Sequence, residues 1–348
     1  MARHVRRGLA LAASLAIALG IGGASAASAV TTPPQAIPAH VYSPYFETWT
    51  ADTITGIANA SGVRYFTLAF LETTSKTSCT LAWDGVKTDT VANGKYLSDI
   101  ASLRALGGDV IPSLGGWSAD QGGTEIGDSC KDVNLIAAAY EELVTKYGVT
   151  RIDMDIEGRS LTRTDGIDRR NQAIKILQAW AAANTLPLTI SYTIPTGANG
   201  LEASGKAVLA DAYAKGVRNY IVQPMVFDYY DRVTTDMGTA AITAVTGAEA
   251  YLKSIEPGLA DAAAWPRMGA TIMNGIDDFP RRTEVTTLAH ARQLDAFAAG
   301  STHRMGVLSM WAIQRDNGNC PGVGGANDCS GIVQNPYDFS KIFIPFTG

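Results

Sequence analysis

A chain of 348 residues, 46% hydrophobic and 18% charged, has apolar material for a large buried core and is not a disordered polyelectrolyte. Its net charge of −5, with Lys and Arg scattered along the chain, argues against nucleic acid or an anionic membrane surface as partner. The four cysteines lack C-x-x-C spacing and histidines are as few, so neither a metal site nor any other cofactor is expected.

In chain order, the first feature is an export signal. Arg3, His4, Arg6 and Arg7 make a basic start, and the run from Leu9 to Ile21 is apolar. Two A-x-A patterns follow, so residues 1–29 read as a secretory signal peptide cut near Ala26 or Ala29. The apolar run is too short and too rich in Ala and Gly for an anchor, and no later stretch reaches the ~18–20 apolar residues of a membrane span. The pair Arg6-Arg7 admits twin-arginine export, but its flanks fit poorly and general secretion is the expectation. Residues 30–40 form a short Thr/Pro-rich leader. Residues 41–348 contain no Ser/Gly/Pro linker and read as one domain, expected to be a monomer outside the cell. An oxidising compartment suits two disulfides. Of the three possible pairings, Cys79–Cys130 and Cys320–Cys329 are expected: the first ties loops on either side of the third strand, and the second closes a Gly-rich loop.

Short β-branched or aromatic runs then alternate with helical stretches. The strands are expected at 41–46, 65–70, 109–114, 151–156, 188–194, 220–227, 268–273 and 305–313. Helices are expected at 99–106, 135–146, 168–182 and 288–298, several stopping at a glycine such as Gly107, Gly148 or Gly216. Strict alternation implies right-handed parallel crossovers, and eight strands imply an α/β fold of the single (β/α)8 TIM-barrel type. The competing doubly wound sheet would show a Gly-rich turn after the first strand, and VYSPYFETW has none.

The fourth strand, RIDMDIEG from Arg151 to Gly158, is the most informative segment. Side chains alternate along a strand, so Asp153, Asp155 and Glu157 share one face while Ile152, Met154 and Ile156 share the other. The apolar face packs on helices and the acids point into the barrel, climbing towards its mouth. An exposed acidic face fits the flanking apolar residues poorly. A calcium loop requires Glu at its twelfth position, where Thr164 stands. A structural ion-pair cluster with nearby arginines is the remaining alternative. Adjacent carboxyls share protons, which keeps the outermost, Glu157, protonated near neutral pH as a general acid must be.

This run resembles the D-x-x-D-x-D-x-E signature of glycoside hydrolase family 18, the chitinase family. The first Asp of that signature falls at Thr150 and the Gly that often follows is Arg151. The missing Asp is not the proton donor, so activity is expected to survive. Three further segments resemble the family in the same order. Ser113-Leu114-Gly115-Gly116 is similar to its S-x-G-G motif, with Ser113 placed to bond the innermost Asp and the glycines leaving room for the acidic strand. Gln223 to Tyr229, including Met225 and Asp228, is similar to its sixth strand, and GVLSMWAIQRD to its eighth, whose Trp here is Trp311.

The resemblance implies hydrolysis of chitin or N-acetylglucosamine oligosaccharides by substrate-assisted catalysis. Glu157 would protonate the leaving oxygen, and Asp155, backed by Asp153, would stabilise the reacting acetamide. Asp228 and a tyrosine would orient the acetamide. Tyr229 is the expected tyrosine, with Tyr192 the fallback. Trp311 and Trp117 would stack on sugar rings, while Trp49 and Trp83 read equally as groove or core. Two alternatives share the same barrel: an endo-N-acetyl-β-glucosaminidase acting on N-glycans, and a non-catalytic chitin-binding lectin. Lectins of this kind typically lose the final Glu or its Asp partner, and this chain keeps both.

Overall fold

The computed structural model describes residues 34–279 and 283–348. The expected signal peptide and the first part of the leader lie outside the described residues. Eight parallel strands alternate with eight helices. The strands are β1 (Val41–Tyr42 and Tyr45–Glu47), β2 (Tyr65–Thr73), β3 (Asp109–Gly115), β4 (Arg151–Asp155), β5 (Thr189–Gly197), β6 (Tyr220–Met225), β7 (Gly269–Met273) and β8 (Val307–Trp311). The helices that follow them are α1 (Ile54–Ser61), α2 (Leu97–Ala105), α3 (Val133–Tyr147), α4 (Thr164–Ala183), α5 (Ala203–Ala214), α6 (Met237–Ile255), α7 (Leu288–Ala298) and α8 (Asp338–Phe343).

Each strand pairs with its neighbours in chain order, and the first half of β1 pairs with β8. The circuit is that of the expected TIM barrel, though it is not seamless. β1 breaks at Ser43-Pro44, so its first half ladders with β8 and its second with β2. Proline supplies no N–H to a ladder, and the break falls where it stands. β6 and β7 meet only at Met225 with Thr271 and through the bridge from Val222 to Met268.

The alternation of side chains divides the interior. Outward residues such as Ile152, Met154, Ile190, Tyr192 and Leu308 join the main core between strands and helices. Inside the barrel, Val41, Ile221 and Val307 form an apolar floor, and Tyr45, Ala69 and Ala312 pack with Phe70 and Trp311 at the mouth. Between these layers the buried residues are polar: Ser43, Thr67, Ser113, Asp153, Ser191, Thr193, Thr271 and Ser309. A polar layer of hydroxyls is where a buried carboxylate finds donors.

Local signals explain the helix ends. Asp132 accepts the N–H groups of Asn134 and Leu135 to start α3, and Gly148, at φ 61°, ends it in the left-handed conformation. Both expected disulfides are present, Cys79–Cys130 with Cα atoms 4.8 Å apart and Cys320–Cys329 with 6.0 Å. Past β7 a small antiparallel pair, Gly275–Ile276 with Val285–Thr286, carries Asp277, Asp278 and Glu284 to the mouth, an excursion the sequence reading does not contain.

Candidate active site

The C-terminal ends of the strands enclose a cavity of about 830 Å³. β4 supplies its acids. Asp153 lies in register with Ser113 on β3 and Ser191 on β5, and Asp155 with Gly115 and Thr193. The Asp153 carboxylate accepts three hydroxyl hydrogen bonds, from Ser113 at 2.6 Å, Thr193 at 2.8 Å and Tyr45 at 2.9 Å. Burial raises its pKa, and these donors oppose the rise.

Asp155 is buried at the cavity wall, and its Oδ1 has no hydrogen-bond partner among the described residues. Burial first, then the charges of Glu157, Asp153 and Asp120, hold its pKa well above the carboxylate range. Glu157 follows in extended backbone and lines the same cavity, half-buried. Its pKa is pushed up to about 7, chiefly by burial, with the backbone N–H of Trp117 opposing and Asp278 adding to the rise. A carboxyl whose pKa is raised by burial therefore lies at the position where the sequence reading expects the acid. The cause differs from the expectation, since desolvation outweighs repulsion between neighbouring carboxyls.

The two glycines after β3 are steric necessities. Gly115 has φ +103°, and a Cβ there would lie 2.1 Å from the carbonyl oxygen of Asp155. Gly116 has φ +82°, and its Cβ would lie 2.6 Å from the Phe70 ring. The first leaves room for the acidic strand, as the motif suggests; the second seats Phe70. Phe70 stacks on Trp311 with centroids 5.5 Å apart and 12° between planes, and Trp49 lies 6.1 Å from Trp311 and 6.4 Å from Phe70, so the three rings form one cluster. Trp311, Trp49 and Trp117 all line the cavity, Trp117 being 60% exposed. Trp83 is core: it is fully buried and donates from Nε1 to the Tyr147 hydroxyl at 2.9 Å.

The sixth-strand residues divide. Met225 and Asp228 line the cavity. Gln223 lies deeper, donating to Thr271 at 2.8 Å, and is not on the wall. Asp228 has its pKa pushed up to about 7 by burial and then by Asp278, and a hydrogen bond from the Tyr230 hydroxyl opposes the rise. Tyr229, the expected tyrosine, is buried away from the cavity with its hydroxyl unpartnered among the described residues; Tyr230 is on the wall instead. Asp228 and Tyr230 both hold left-handed backbone, at φ 51° and 55°, which interrupts the simple alternation of side chains. Glu284 secures that turn by accepting the N–H groups of Tyr229 at 2.7 Å and Tyr230 at 2.9 Å. Tyr192 faces the helices, its hydroxyl donating to Asn171 at 2.8 Å, so it also stands off the cavity. Alternation signals this in the sequence, because Ser191 and Thr193 occupy the inward positions.

Sequence reasoning missed Tyr45, Phe70, Asp120 and Asp278. Tyr45 shares a VYSPYFETW segment with Trp49 and sits on the inward face of β1, a weak signal. Asp120 and Asp278 carry none, since each reaches the site through a turn after its strand.

The chain matches the family model for glycosyl hydrolases family 18 over residues 41–277. It is 32% identical over 335 residues to a probable bifunctional chitinase/lysozyme of Escherichia coli (strain K12), covering 91% of this chain and 36% of that protein. It is likewise 32% identical over 299 residues to Endochitinase 11 of Metarhizium anisopliae, covering 82% and 54%. The chain thus spans between a third and about half the length of these curated relatives. The fold superposes on the catalytic domain of a hyperthermophilic chitinase from Pyrococcus furiosus with TM-score 0.78 and 27% identity, covering 90% of this chain and 96% of that one. By family model, relatives and fold together, the chain belongs to glycoside hydrolase family 18.

Proposed function

We propose that the protein is a glycosidase that cleaves β-1,4-linked N-acetylglucosamine polymers such as chitin, with retention, using the substrate's own acetamido group as nucleophile. The observation that carries this reading is Asp155. It is a buried carboxyl between Asp153 and Glu157, with one oxygen left without a protein partner at the cavity wall. A substrate N–H is the complement of that oxygen, and a 2-acetamido group supplies one.

In the first step the Glu157 proton passes to the glycosidic oxygen as the C1–O bond breaks. The acetamido oxygen attacks C1 from the opposite face and closes an oxazolinium ring, whose positive charge Asp155 stabilises. Water then opens the ring at C1, giving its proton to the Glu157 carboxylate and restoring the original configuration. Asp228 with the Tyr230 hydroxyl would hold the acetamide in line. Phe70 and Trp311 offer a stacked aromatic floor for the sugar, flanked by Trp49 and Trp117. Action outside the cell is part of the same proposal, supported by the two disulfides and the basic, then apolar, N-terminal sequence.

The test is a product profile on chitin oligomers beside a high-mannose glycoprotein, with the Glu157→Gln variant in parallel. Oligomers should be cut and the variant should bind them without turnover. Oligomers carrying a free 2-amino group in the sugar before the scissile bond should resist. Unchanged turnover by Glu157→Gln, or equal cleavage of the amino-sugar oligomers, would sink the mechanism.

A further inference from the structure

Behind Glu157 stands a carboxyl group with no part in the reaction as written. Asp120 lies on the short helix Trp117–Gly122, directly after the two glycines, and is 0% exposed. Its Oδ2 accepts the backbone N–H of Glu157. Its Oδ1 is buried without a partner among the described residues, and lies 3.4 Å from where a Cβ on Gly115 would stand. That places it against the main chain of Asp155, whose carbonyl accepts the Gly116 N–H at 3.0 Å.

The charged groups around Asp120 come from three elements. Glu157 and Asp155 approach from the end of β4, Glu125 from the start of helix Ile126–Ser129, and Arg170 from α4. Arg170 is fully buried, donates twice to Glu125 at 3.1 and 2.8 Å, and keeps Nη1 without a partner among the described residues. Glu157 itself is faced by Asp120, Asp155, Asp228 and Asp278, all acidic. A mere cap for the Glu157 N–H needs only an oxygen acceptor, which Asn or Ser supplies without the cost of burying a carboxyl beside others. The choice of a carboxyl is what a cap leaves unexplained.

We propose that Asp120 is a positioning residue for the acid of this site: it clamps the main chain at Glu157 and is a further member of the carboxyl set that shares protons with Asp155 and Glu157. The inference rests on reading Glu157 as the acid. Each added carboxyl in such a set makes the last proton harder to remove, so Asp120 extends the range in which Glu157 stays protonated towards higher pH.

The experiment compares kcat and KM of wild type, Asp120→Asn, Asp120→Ser and Asp120→Ala on a chromogenic N-acetylglucosamine oligomer from pH 4 to 9. Asp120→Asn keeps an acceptor for the Glu157 N–H and removes the titrating group. Its activity at pH 5 should stay within a few-fold of wild type while the alkaline limb of kcat moves down by about 1 pH unit. Asp120→Ser should show the same displaced limb if Asp120→Asn fails to fold. Asp120→Ala also loses the clamp, and its kcat should fall ~10–100-fold with little change in KM. An alkaline limb that stays at the wild-type pH in Asp120→Asn and Asp120→Ser overturns the proton-sharing role. A wild type with no alkaline limb, or an active Glu157→Gln, would instead remove the reading of Glu157 on which it rests.

Discussion

Replacing Glu157 by Gln should make the protein more stable at neutral and alkaline pH. A carboxyl whose pKa rises from the ordinary 4.5 to about 7 on folding holds its proton more tightly in the folded chain than in the unfolded one. Between those two values the native state binds more protons, so stability falls as pH rises through the window from 4.5 to 7. The shift corresponds to about 3 kcal/mol, present below the window and absent above it. Glutamine is nearly isosteric and does not titrate, so it avoids the loss. Urea denaturation of both proteins at pH 5 and pH 8 measures the effect. The variant should gain on wild type by about 2–3 kcal/mol between the two conditions. Asp277 and Glu47, whose pKa values are also raised, are common to both proteins and largely cancel in the difference, whereas Asp228 is raised in part by Glu157 and adds to the variant's gain. Asp155 adds in the same direction, because losing the Glu157 charge eases its own ionisation. A stability difference that does not change with pH would refute the assignment of a desolvated, proton-holding carboxyl to this position.

Two further substitutions test the walls of the site. Gly116→Ala forces a Cβ to 2.6 Å from the Phe70 ring at φ +82°, so the aromatic floor must shift. The fold should lose about 2–3 kcal/mol by denaturation, and kcat/KM should fall ~10²-fold because Trp311 stacks on Phe70. Tyr230→Phe should lower kcat ~10–100-fold by removing the hydroxyl that bonds Asp228, whereas Tyr229→Phe should change it by less than about 2-fold. The reverse order in steady-state kinetics would restore Tyr229 to the site.

What the sequence disclosed and what it withheld follow one physical rule. Inside a strand, a period of two decides the direction of every side chain, so Asp153, Asp155, Ser113 and Trp311 are readable without a structure, and Glu157, two residues past the end of β4, keeps their parity in extended backbone. The eight-strand order is readable for a related reason, since parallel strands require a crossover between each pair. Past the strand ends, direction is set by contacts between distant segments. Tyr230 and not Tyr229 reaches the cavity because Glu284, 55 residues from Tyr229, accepts both N–H groups of the turn that carries them. Asp120 faces Glu157 because Gly115 and Gly116 bend the chain through positive φ immediately before its helix. Tyr192 is legible as standing off the site, because its parity is opposite to that of Ser191 and Thr193.

The contrast between Asp153 and Asp155 shows how one strand separates the two charge states that the proposed reaction needs. Both are buried, two residues apart on the same face, and burial raises the pKa of both. Asp153 receives three hydroxyl donors, each favouring its ionised form by roughly 1–2 kcal/mol. Asp155 has an unpartnered oxygen and carboxyls on three sides, so its ionised form is the less favoured of the two. Asp155 therefore holds its proton to higher pH than Asp153 does. The free oxygen of Asp155 is then the place in the polar layer where an incoming N–H meets an acceptor that no protein donor occupies. A substrate lacking that N–H leaves the oxygen unmet, which links substrate choice to the site through one buried atom.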